Sequence, residues 1–236
     1  MQDIVVVGAS AGGVEALQVL TAGLVTDLPA SVFVVLHIGR GIDGRSFLPE
    51  ILARAGALPV KHPVEGEEIC RAQIYVAPPD CHMLLRCGHV HVLHGPKENR
   101  TRPSINPLFR SAAAAYGPRV TGVILTGLLD DGVGGLAEIK RCGGLAVVQD
   151  PATALYPSMP ENALKCVNVD HVVPLHGIAQ LVHALATTER DATEVEEPME
   201  RKLVDLTCPE CRGPIWEERQ GRIVQYRCRV GHAYSP

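Results

Sequence analysis

Ser10 lies in the turn Gly8-Ala9-Ser10-Ala11-Gly12, between a β-branched apolar run and a stretch of helix-forming residues. This G-x-S-x-G pattern is typical of a nucleophile elbow, where small neighbours expose a serine hydroxyl at the carboxyl end of a strand. Unpaired N–H groups at the start of the next helix would stabilise an anion or an oxyanion there. Taken alone, the stretch also fits an anion-binding loop or a plain tight turn, although the dinucleotide fingerprint G-x-G-x-x-G is broken at Ser10.

Two further side chains that could do chemistry follow other apolar runs. His37 comes directly after residues 31–36, and Asp131 lies in the glycine-rich turn 127–132 that follows residues 119–126. A histidine that removes the serine proton, and is oriented by a buried carboxylate, activates a serine nucleophile. Capping of the next helix is the structural alternative for Asp130 and Asp131. The chain order Ser, His, Asp is no objection to a triad, because geometry defines triads.

Alternating strands and helices would position these three residues. The first strand, the first helix and the second strand form a βαβ unit, which predicts a parallel sheet covered by helices on both faces. The carboxyl ends of its strands meet at one edge, so we expect Ser10, His37 and Asp131 to lie together there. Further strands are predicted at 59–62, 73–77, 145–149 and 171–174, and helices at 45–55, 106–116, 161–166 and 177–186.

A β-hairpin insertion is predicted at 82–94, where apolar and polar residues alternate around positions 87 and 88. It contains four histidines: His82, His89, His91 and His94. No cysteine or carboxylate joins them at ligand spacing, so we interpret them as solvated hairpin positions rather than metal ligands. In the following loop, Asn99, Arg100 and Arg102 could hold a substrate carboxylate or a polar backbone, or could be solvated surface charge.

Composition and charge exclude several classes of protein. The chain has 236 residues, of which 46% are hydrophobic and 20% charged, as in soluble globular proteins. Its net charge of -4 gives no basis for binding nucleic acid. No secretory signal precedes the first strand and no apolar run could span a bilayer, so we expect a cytoplasmic protein without membrane insertion.

The cysteines concentrate at the end of the chain, where three of the eight fall in the last thirty residues. Cys208 and Cys211 form C-x2-C, and after a spacer of sixteen residues Cys228 and His232 form C-x3-H. The spacer is long enough for a hairpin, with a turn at Gly213. This spacing predicts a zinc-ribbon-like module in which Zn²⁺ is structural, since four protein ligands leave no open position. Ordinary reduced thiols are the alternative.

These features divide the chain into three segments. Residues 1–186 would form the α/β domain, and residues 206–236 the zinc-ribbon-like module. Between them, residues 187–205 are rich in acidic residues and poor in large apolar ones, which predicts a linker. A module of under about forty residues cannot bury enough apolar surface to fold alone, so the metal would supply much of its stability.

Residues 1 to about 185 closely resemble the catalytic domain of the chemotaxis protein-glutamate methylesterases, the CheB family. The resemblance depends on Gly8-Ala9-Ser10-Ala11-Gly12-Gly13, the strand ending in His37, Tyr75-Val76-Ala77-Pro78, residues 99–109, residues 122–127, and Asp131-Gly132. It implies that Ser10 is the nucleophile, His37 the general base and acid, and Asp131 the carboxylate that orients His37. The Asp-Gly placement favours Asp131 over Asp130 for that role.

The resemblance also implies an activity and a partner. Members of the family hydrolyse γ-glutamyl methyl esters on the cytoplasmic helices of chemoreceptors, and some also deamidate glutamines there, without a catalytic cofactor. Ala11 and Leu128 stand where the family often has threonine and methionine. Many members carry a receiver domain before the catalytic strand; here that strand begins near residue 3, so we expect no receiver domain in the same chain, and regulation by a separate protein remains open.

Two other classes of function compete with the esterase. One is a catalytically silent signalling or binding module of the same fold, against which the presence of Ser10, His37 and Asp131 argues. The other is a nucleotide-binding α/β domain, which is disfavoured because the chain has neither a phosphate-loop lysine nor a complete dinucleotide fingerprint.

Overall fold

The computed structural model describes residues 3–37, 45–86, 88–188, 200–220 and 223–236. The strands are β1 (Asp3–Ala9), β2 (Ala30–Leu36), β3 (Val60–Lys61), β4 (Glu67–Glu68), β5 (Ile74–Val76), β6 (His82–Arg86), β7 (His89–Leu93), β8 (Val120–Ile124), β9 (Leu145–Gln149), β10 (His171–Val173), β11 (Glu200–Thr207), β12 (Pro214–Gln220), β13 (Ile223–Cys228) and β14 (Ala233–Tyr234). The helices are α1 (Gly13–Gly23), α2 (Leu48–Ala55), α3 (Ile105–Tyr116), α4 (Val133–Arg141), α5 (Ser158–Cys166) and α6 (Leu175–Ala186).

A seven-stranded parallel sheet forms the centre of the molecule, in the order β10-β9-β8-β1-β2-β5-β3. Its strands are apolar runs rather than alternating ones because both faces are covered; every residue of β2 is buried. The chain leaves β1 toward β2 on one side and later returns as β8 on the other. The strand order therefore reverses at β1, and a crevice for ligands is expected at the carboxyl ends of these strands.

Helices cover both faces of this sheet, as predicted. Helices α1, α2 and α6 pack with the core residues of one face, and α3, α4 and α5 with those of the other. In α3 the apolar residues recur at helical spacing and are fully buried, at Ile105, Leu108, Phe109 and Ala112. The α/β fold with a parallel sheet and flanking helices is therefore confirmed.

The predicted hairpin is present as β6 and β7, which pair with β4 in a small antiparallel sheet. Met83, Leu85 and Val90 turn inward and join the core beneath α3. His89 and His94 are exposed and His91 is half-buried, but His82 is only 5% exposed and its Nε2 lies 2.8 Å from the Pro96 carbonyl oxygen. The interpretation of His82 as a solvated position is wrong, because the alternation that exposes one face of a hairpin buries the other.

Element boundaries differ from the prediction near prolines. The predicted helix 161–166 begins three residues earlier, because α5 starts at Ser158, and Pro151–Thr153 before it form a 3₁₀ turn. Pro160 falls in the first turn of α5, where the missing N–H has no helical acceptor to lose. Proline thus marks the beginning of this helix, not the end of a loop.

Residues 200–236, in their described part, form a four-stranded antiparallel sheet in the order β11-β12-β13-β14, which we call the C-terminal module. The predicted hairpin is formed by β12 and β13. Residues 200–205 of the predicted linker lie in β11 because pairing with β12 satisfies their backbone groups. Residues 189–199 of that linker, and position 87 of the predicted hairpin, lie outside the described residues.

None of the described helices combines the length and apolarity needed to cross a membrane.

Candidate active site

Ser10 stands at the end of β1, where the backbone turns sharply into α1. Its N–H donates to the Thr126 carbonyl at 3.0 Å, and its carbonyl accepts from the Gly13 N–H at 2.9 Å. Gly12 has a φ of 70°, in the left-handed region that glycine adopts without strain. Gly8 allows close packing beneath the turn, since a Cβ there would lie 2.6 Å from the Ile105 side chain. Gly12 is therefore needed for its backbone conformation, and Gly8 is needed for close packing.

The structure brings Ser10, His37 and Asp131 together in one hydrogen-bonded line. Nδ1 of His37 lies 3.2 Å from Ser10 Oγ, and Nε2 of the same ring lies 2.8 Å from Asp131 Oδ2. These residues follow β1, β2 and β8, the three strands at the point where the sheet order reverses. A proton held on Nε2 by the carboxylate leaves Nδ1 free to accept the serine proton. The geometry is that of a serine nucleophile with a base and an orienting acid.

Asp131 is buried and surrounded by donors besides His37. Ser104 Oγ lies 2.9 Å from each carboxylate oxygen, the Ile105 N–H donates at 2.6 Å, and Asn99 Nδ2 donates at 3.2 Å. Burial acts to raise the pKa of Asp131, but the hydrogen bonds from His37, Ile105 and Ser104 outweigh it and hold the pKa below its usual value. The carboxylate is therefore ionised when it faces the imidazole.

The amino end of α3 supplies much of this environment. Ser104 occupies the N-cap position, yet its side chain donates to Asp131 and makes no cap of its own. Asp131 instead accepts from the first N–H of the helix, so a carboxylate from a distant loop takes the capping role. The positive end of the helix dipole favours the negative charge. The capping alternative for Asp131 thus applies to α3, not to the helix that follows it in sequence.

Asp130 occupies a different environment from its neighbour. Burial raises its pKa, against a lowering effect of a hydrogen bond from Ser235. Within the described residues, the carboxylate that contacts the His37 ring is Asp131 and not Asp130. The geometry therefore separates two acids that the sequence alone left ambiguous.

Two backbone N–H groups beside Ser10 are available to a ligand. Those of Ala11 and Gly12 donate to no atom in the described part of the chain, and they lie at the amino end of α1. The N–H groups of Ser10 and Gly127 are used internally, donating to Thr126 and Tyr156 carbonyls. A negative oxygen formed beside Ser10 would therefore be met by the Ala11 and Gly12 donors.

Large apolar side chains line the approach to Ser10. Leu155 and Tyr156 lie against Gly12, and Gly127, which Leu128 and Leu129 follow in the sequence, is packed against the Ser10 side chain. All four side chains are exposed, by 39% to 74%. Exposed apolar groups grouped around a reactive residue mark a surface for a partner or a substrate.

The loop 97–104 contributes residues that the sequence did not assign to the triad. Asn99 and Ser104 donate hydrogen bonds to Asp131. The sequence indicates this role only weakly, because the two residues are simply polar residues before a predicted helix. Arg102 donates to Asp80 and to the Gly95 carbonyl, so it holds the loop together. Arg100 is exposed.

Cys208, Cys211, Cys228 and His232 converge in the C-terminal module, with their ligand atoms all within 4.8 Å of one another. Cys211 Sγ lies 3.6 Å from Cys228 Sγ, and His232 Nδ1 lies 3.7 Å from Cys208 Sγ and 3.4 Å from Cys228 Sγ. A tetrahedral zinc ion with bonds of about 2.3 Å to sulfur and about 2.0 Å to nitrogen requires S···S edges of about 3.8 Å and S···N edges of about 3.5 Å. The donor set fits zinc in type, number and spacing.

The polar surroundings of Cys208 favour a metal-binding thiolate. Burial acts to raise the pKa of Cys208, but hydrogen bonds from Tyr234 and from the N–H groups of Cys211 and Glu210 lower it to about 6. The Tyr234 hydroxyl lies 3.3 Å from Cys208 Sγ. Such hydrogen bonds from outside the ligand set orient and ionise metal ligands.

Comparison with known proteins gives a consistent result. The family model described as CheB methylesterase matches residues 5–182. A Leptospira interrogans protein provisionally named protein-glutamate methylesterase/protein-glutamine glutaminase is 41% identical over 180 residues, covering 76% of this chain and 92% of the relative. A Geobacter metallireducens protein-glutamate methylesterase/protein-glutamine glutaminase is 39% identical over 185 residues, covering 77% of this chain but 51% of the relative.

A solved structure agrees with the sequence relatives. The crystal structure of the Thermotoga maritima CheB methylesterase catalytic domain superimposes with a TM-score of 0.75 at 31% identity, covering 78% of this chain and 99% of that one. The family match ends before the C-terminal module. Over the region that contains Ser10, His37 and Asp131, the chain belongs to the CheB methylesterase family.

Proposed function

We propose that this chain is a serine esterase that removes methyl groups from γ-glutamyl methyl esters of chemoreceptors. The observation that carries the proposal is the line from Ser10 Oγ through the His37 ring to Asp131, at the reversal point of the sheet. Membership of the family supports the reaction class. The proposed catalytic residues are Ser10, His37 and Asp131.

The first half of the reaction forms an acyl-enzyme. Ser10 Oγ attacks the ester carbonyl while His37 Nδ1 takes the hydroxyl proton, and the carbonyl oxygen becomes an oxyanion held by the N–H groups of Ala11 and Gly12. The imidazolium that forms is stabilised by Asp131. His37 then gives its proton to the methoxide group, methanol leaves, and the glutamyl group remains bound to Ser10 as an ester.

The second half regenerates the enzyme. Water takes the place of methanol, His37 removes one of its protons, and the hydroxide attacks the acyl carbonyl. The tetrahedral intermediate collapses with return of the proton to Ser10, which releases a glutamate side chain. A glutamine side chain would form the same acyl-enzyme with ammonia as the leaving group, and the names of the relatives include a protein-glutamine glutaminase activity.

The exposed side chains near the site support a receptor helix as the substrate. The exposed residues Leu128, Leu129, Leu155 and Tyr156 would contact apolar positions on a receptor helix beside the methylated glutamate. Since the methylated helices of chemoreceptors lie in the cytoplasm, we infer a cytoplasmic protein. No step of this chemistry uses a metal or an organic cofactor.

We further propose that the C-terminal module binds one structural Zn²⁺ through Cys208, Cys211, Cys228 and His232. The convergence of the four ligand atoms, which all lie within 4.8 Å of one another, supports this assignment. Bound zinc would cross-link β13 and the residue before β14 to the turn that carries Cys208 and Cys211. This link matters because the apolar core of the module is small. It would take no part in ester hydrolysis.

Methanol release from a methylated receptor fragment tests the esterase. The wild-type protein should release methanol, and Ser10→Ala should abolish release above the background of fragment alone. Thr188→Ala is the control, because Thr188 is exposed just after the end of α6, and its hydroxyl donates to the Ala184 carbonyl of that helix. Equal release by wild type and Ser10→Ala would exclude the serine mechanism, and no release by a folded wild type would favour the silent signalling module.

Metal analysis of the purified protein tests the zinc site separately. We expect about one zinc per chain in the wild type and in Cys70→Ser, whose thiol is exposed outside the module. Cys211→Ser should retain much less zinc. Absence of zinc from the wild type after purification and after incubation with zinc would refute the site.

A further inference from the structure

The C-terminal module packs against the loop that supports the catalytic carboxylate. The Asn99 N–H donates to the Ala233 carbonyl at 2.8 Å, and Glu98 forms a parallel bridge with Ala233. Strand β14 therefore pairs with the segment 98–99 through the backbone. The same segment sends the Asn99 side chain to Asp131.

The side chain of Asn99 connects the two parts of the molecule. Its Nδ2 donates to Asp131 Oδ1 at 3.2 Å, and its Oδ1 accepts from the Ser235 N–H at 3.1 Å, with Ser235 Oγ at 3.3 Å. A backbone N–H can only donate, so Ser235 requires the amide oxygen to face the module. The amide NH₂ is then directed at Asp131, and the module sets the orientation of this donor.

A buried ion pair forms a second connection at the same place. Glu98 is 6% exposed, and its Oε1 accepts from Arg110 Nη2 of α3 at 2.5 Å and from Arg227 Nη1 of β13 at 3.3 Å. A buried carboxylate that loses one of its cations is strongly disfavoured. The position of Glu98, and with it that of Asn99, therefore depends on Arg227.

Both connections are adjacent to proposed metal ligands. Arg227 precedes Cys228, and Ala233 follows His232. The core of the module consists of Cys208, Ile215 and Cys228, two of which are themselves proposed ligands. Without a metal, the turn that carries Cys208 and Cys211 is no longer linked to β13 and to the turn before β14, so these strands lose a constraint on the arrangement that contacts 98–99.

We propose that Asn99 is a positioning residue for the catalytic carboxylate and that metal binding in the C-terminal module maintains it, so that the metal state of the module controls esterase activity. The proposal rests on the proposed esterase and zinc functions. Loss of zinc releases β14, so Asn99 Oδ1 no longer accepts the hydrogen bond from the Ser235 N–H. The Asn99 NH₂ group is then no longer directed at Asp131. The catalytic line weakens although Ser10, His37 and Asp131 are unchanged.

Variants of Asn99 test the positioning role. Asn99→Ala should lower kcat about tenfold, which corresponds to about 1.4 kcal/mol of transition-state stabilisation, with KM within about twofold of wild type. Asn99→Asp, which keeps the acceptor for Ser235 but removes the donor to Asp131, should lower kcat at least as much. Lys97→Ala, an exposed neighbour, should behave like wild type. A wild-type kcat in both Asn99 variants, or a change in KM alone, would overturn the role.

Reaction of Ser10 with a fluorophosphonate probe tests control by the metal without using the natural substrate. In the full chain, chelation should slow labelling about tenfold, and Zn²⁺ should restore it. Cys211→Ser should label slowly with or without added zinc, and Cys70→Ser should match wild type. In Asn99→Ala, chelation should cause little further loss, because both changes break one connection.

The outcomes separate this inference from the proposed function. If zinc-loaded and zinc-free wild type react with the probe at the same rate, control by the metal is refuted, while the reactivity of Ser10 still supports the esterase. If loaded wild type neither reacts with the probe nor releases methanol, the proposed esterase fails instead. If chelation slows labelling of Asn99→Ala by the same factor as it slows labelling of wild type, Asn99 does not transmit the effect of the metal to Ser10.

Discussion

Replacement of Asp131 by asparagine tests the catalytic line most directly. The amide has one acceptor oxygen, where the carboxylate has two. At the Oδ2 position this oxygen keeps the donors of His37, at 2.8 Å, and of Ile105, at 2.6 Å. The amide NH₂ then faces the donors of the two weaker contacts, Asn99 Nδ2 at 3.2 Å and the Asn106 N–H at 3.4 Å. We therefore expect Asp131→Asn to fold and to keep the histidine proton on Nε2.

The cost of the substitution then arises from charge. During the reaction the His37 ring becomes positive, and in the wild type it faces a negative carboxylate. For unit charges about 4 Å apart at an effective dielectric constant of about 20, the attraction is about 4 kcal/mol. Each 1.36 kcal/mol corresponds to a factor of about ten in rate, so kcat should fall about 10³-fold.

The assay is methanol release from a methylated receptor fragment, with Asp130→Asn as the matched control. Asp130 does not contact His37 in the described structure, and asparagine keeps an acceptor for Ser235, so its kcat should change by less than about threefold. A loss below tenfold in Asp131→Asn, or a larger loss in Asp130→Asn, would refute the assignment of the orienting acid. Circular dichroism of both variants establishes that a loss is not due to unfolding.

Three further predictions concern stability. Ser104→Ala removes a fully buried donor to both oxygens of Asp131, so urea unfolding should show a loss of about 1.5–3 kcal/mol, and an unchanged midpoint would contradict the contact. The pKa of Asp131 is lower in the folded than in the unfolded chain, so its stabilisation is present above about pH 4 and is lost as the pH falls through the folded pKa. Unfolding free energies measured from pH 6 to pH 3 should therefore fall less in Asp131→Asn than in wild type. Gly135→Ala places a Cβ 2.5 Å from Phe109 Cβ, between α4 and α3, and should lower the free energy of unfolding by about 1–3 kcal/mol, whereas an equal or higher melting temperature would show that the helices separate without cost.

The parallel sheet could be predicted because its sequence signals are local. β1, β2 and β8 are short apolar runs that end in small or polar residues, and the rule that parallel strands end at one edge brought Ser10, His37 and Asp131 to one place. The spacing of the terminal cysteines and histidine likewise limited where their side chains could meet. These inferences needed only periodicity, turn chemistry and ligand distances.

The remaining features depend on contacts between distant segments. Ser104 has the local signature of a helix cap, but Asp131, 27 residues later, takes that role, and nothing near Ser104 indicates it. His82 belongs to an alternating strand whose buried face became clear only once the hairpin was placed beside α3. Residues 200–205 fall in the predicted linker although they lie in β11, because the stabilisation of this strand is supplied by pairing with β12.

The donors that surround Asp131 explain why the triad requires the whole fold. They come from the segment after β2, from the loop 97–104 and from the beginning of α3, and Asp131 itself follows β8. A buried carboxylate without these donors would cost several kcal/mol, so the charge is tolerated only when all these segments are in place. The charge that orients His37 is therefore stable only where all these segments meet. Any change that moves one of these segments, including release of β14 from Asn99, should reduce turnover before it unfolds the sheet.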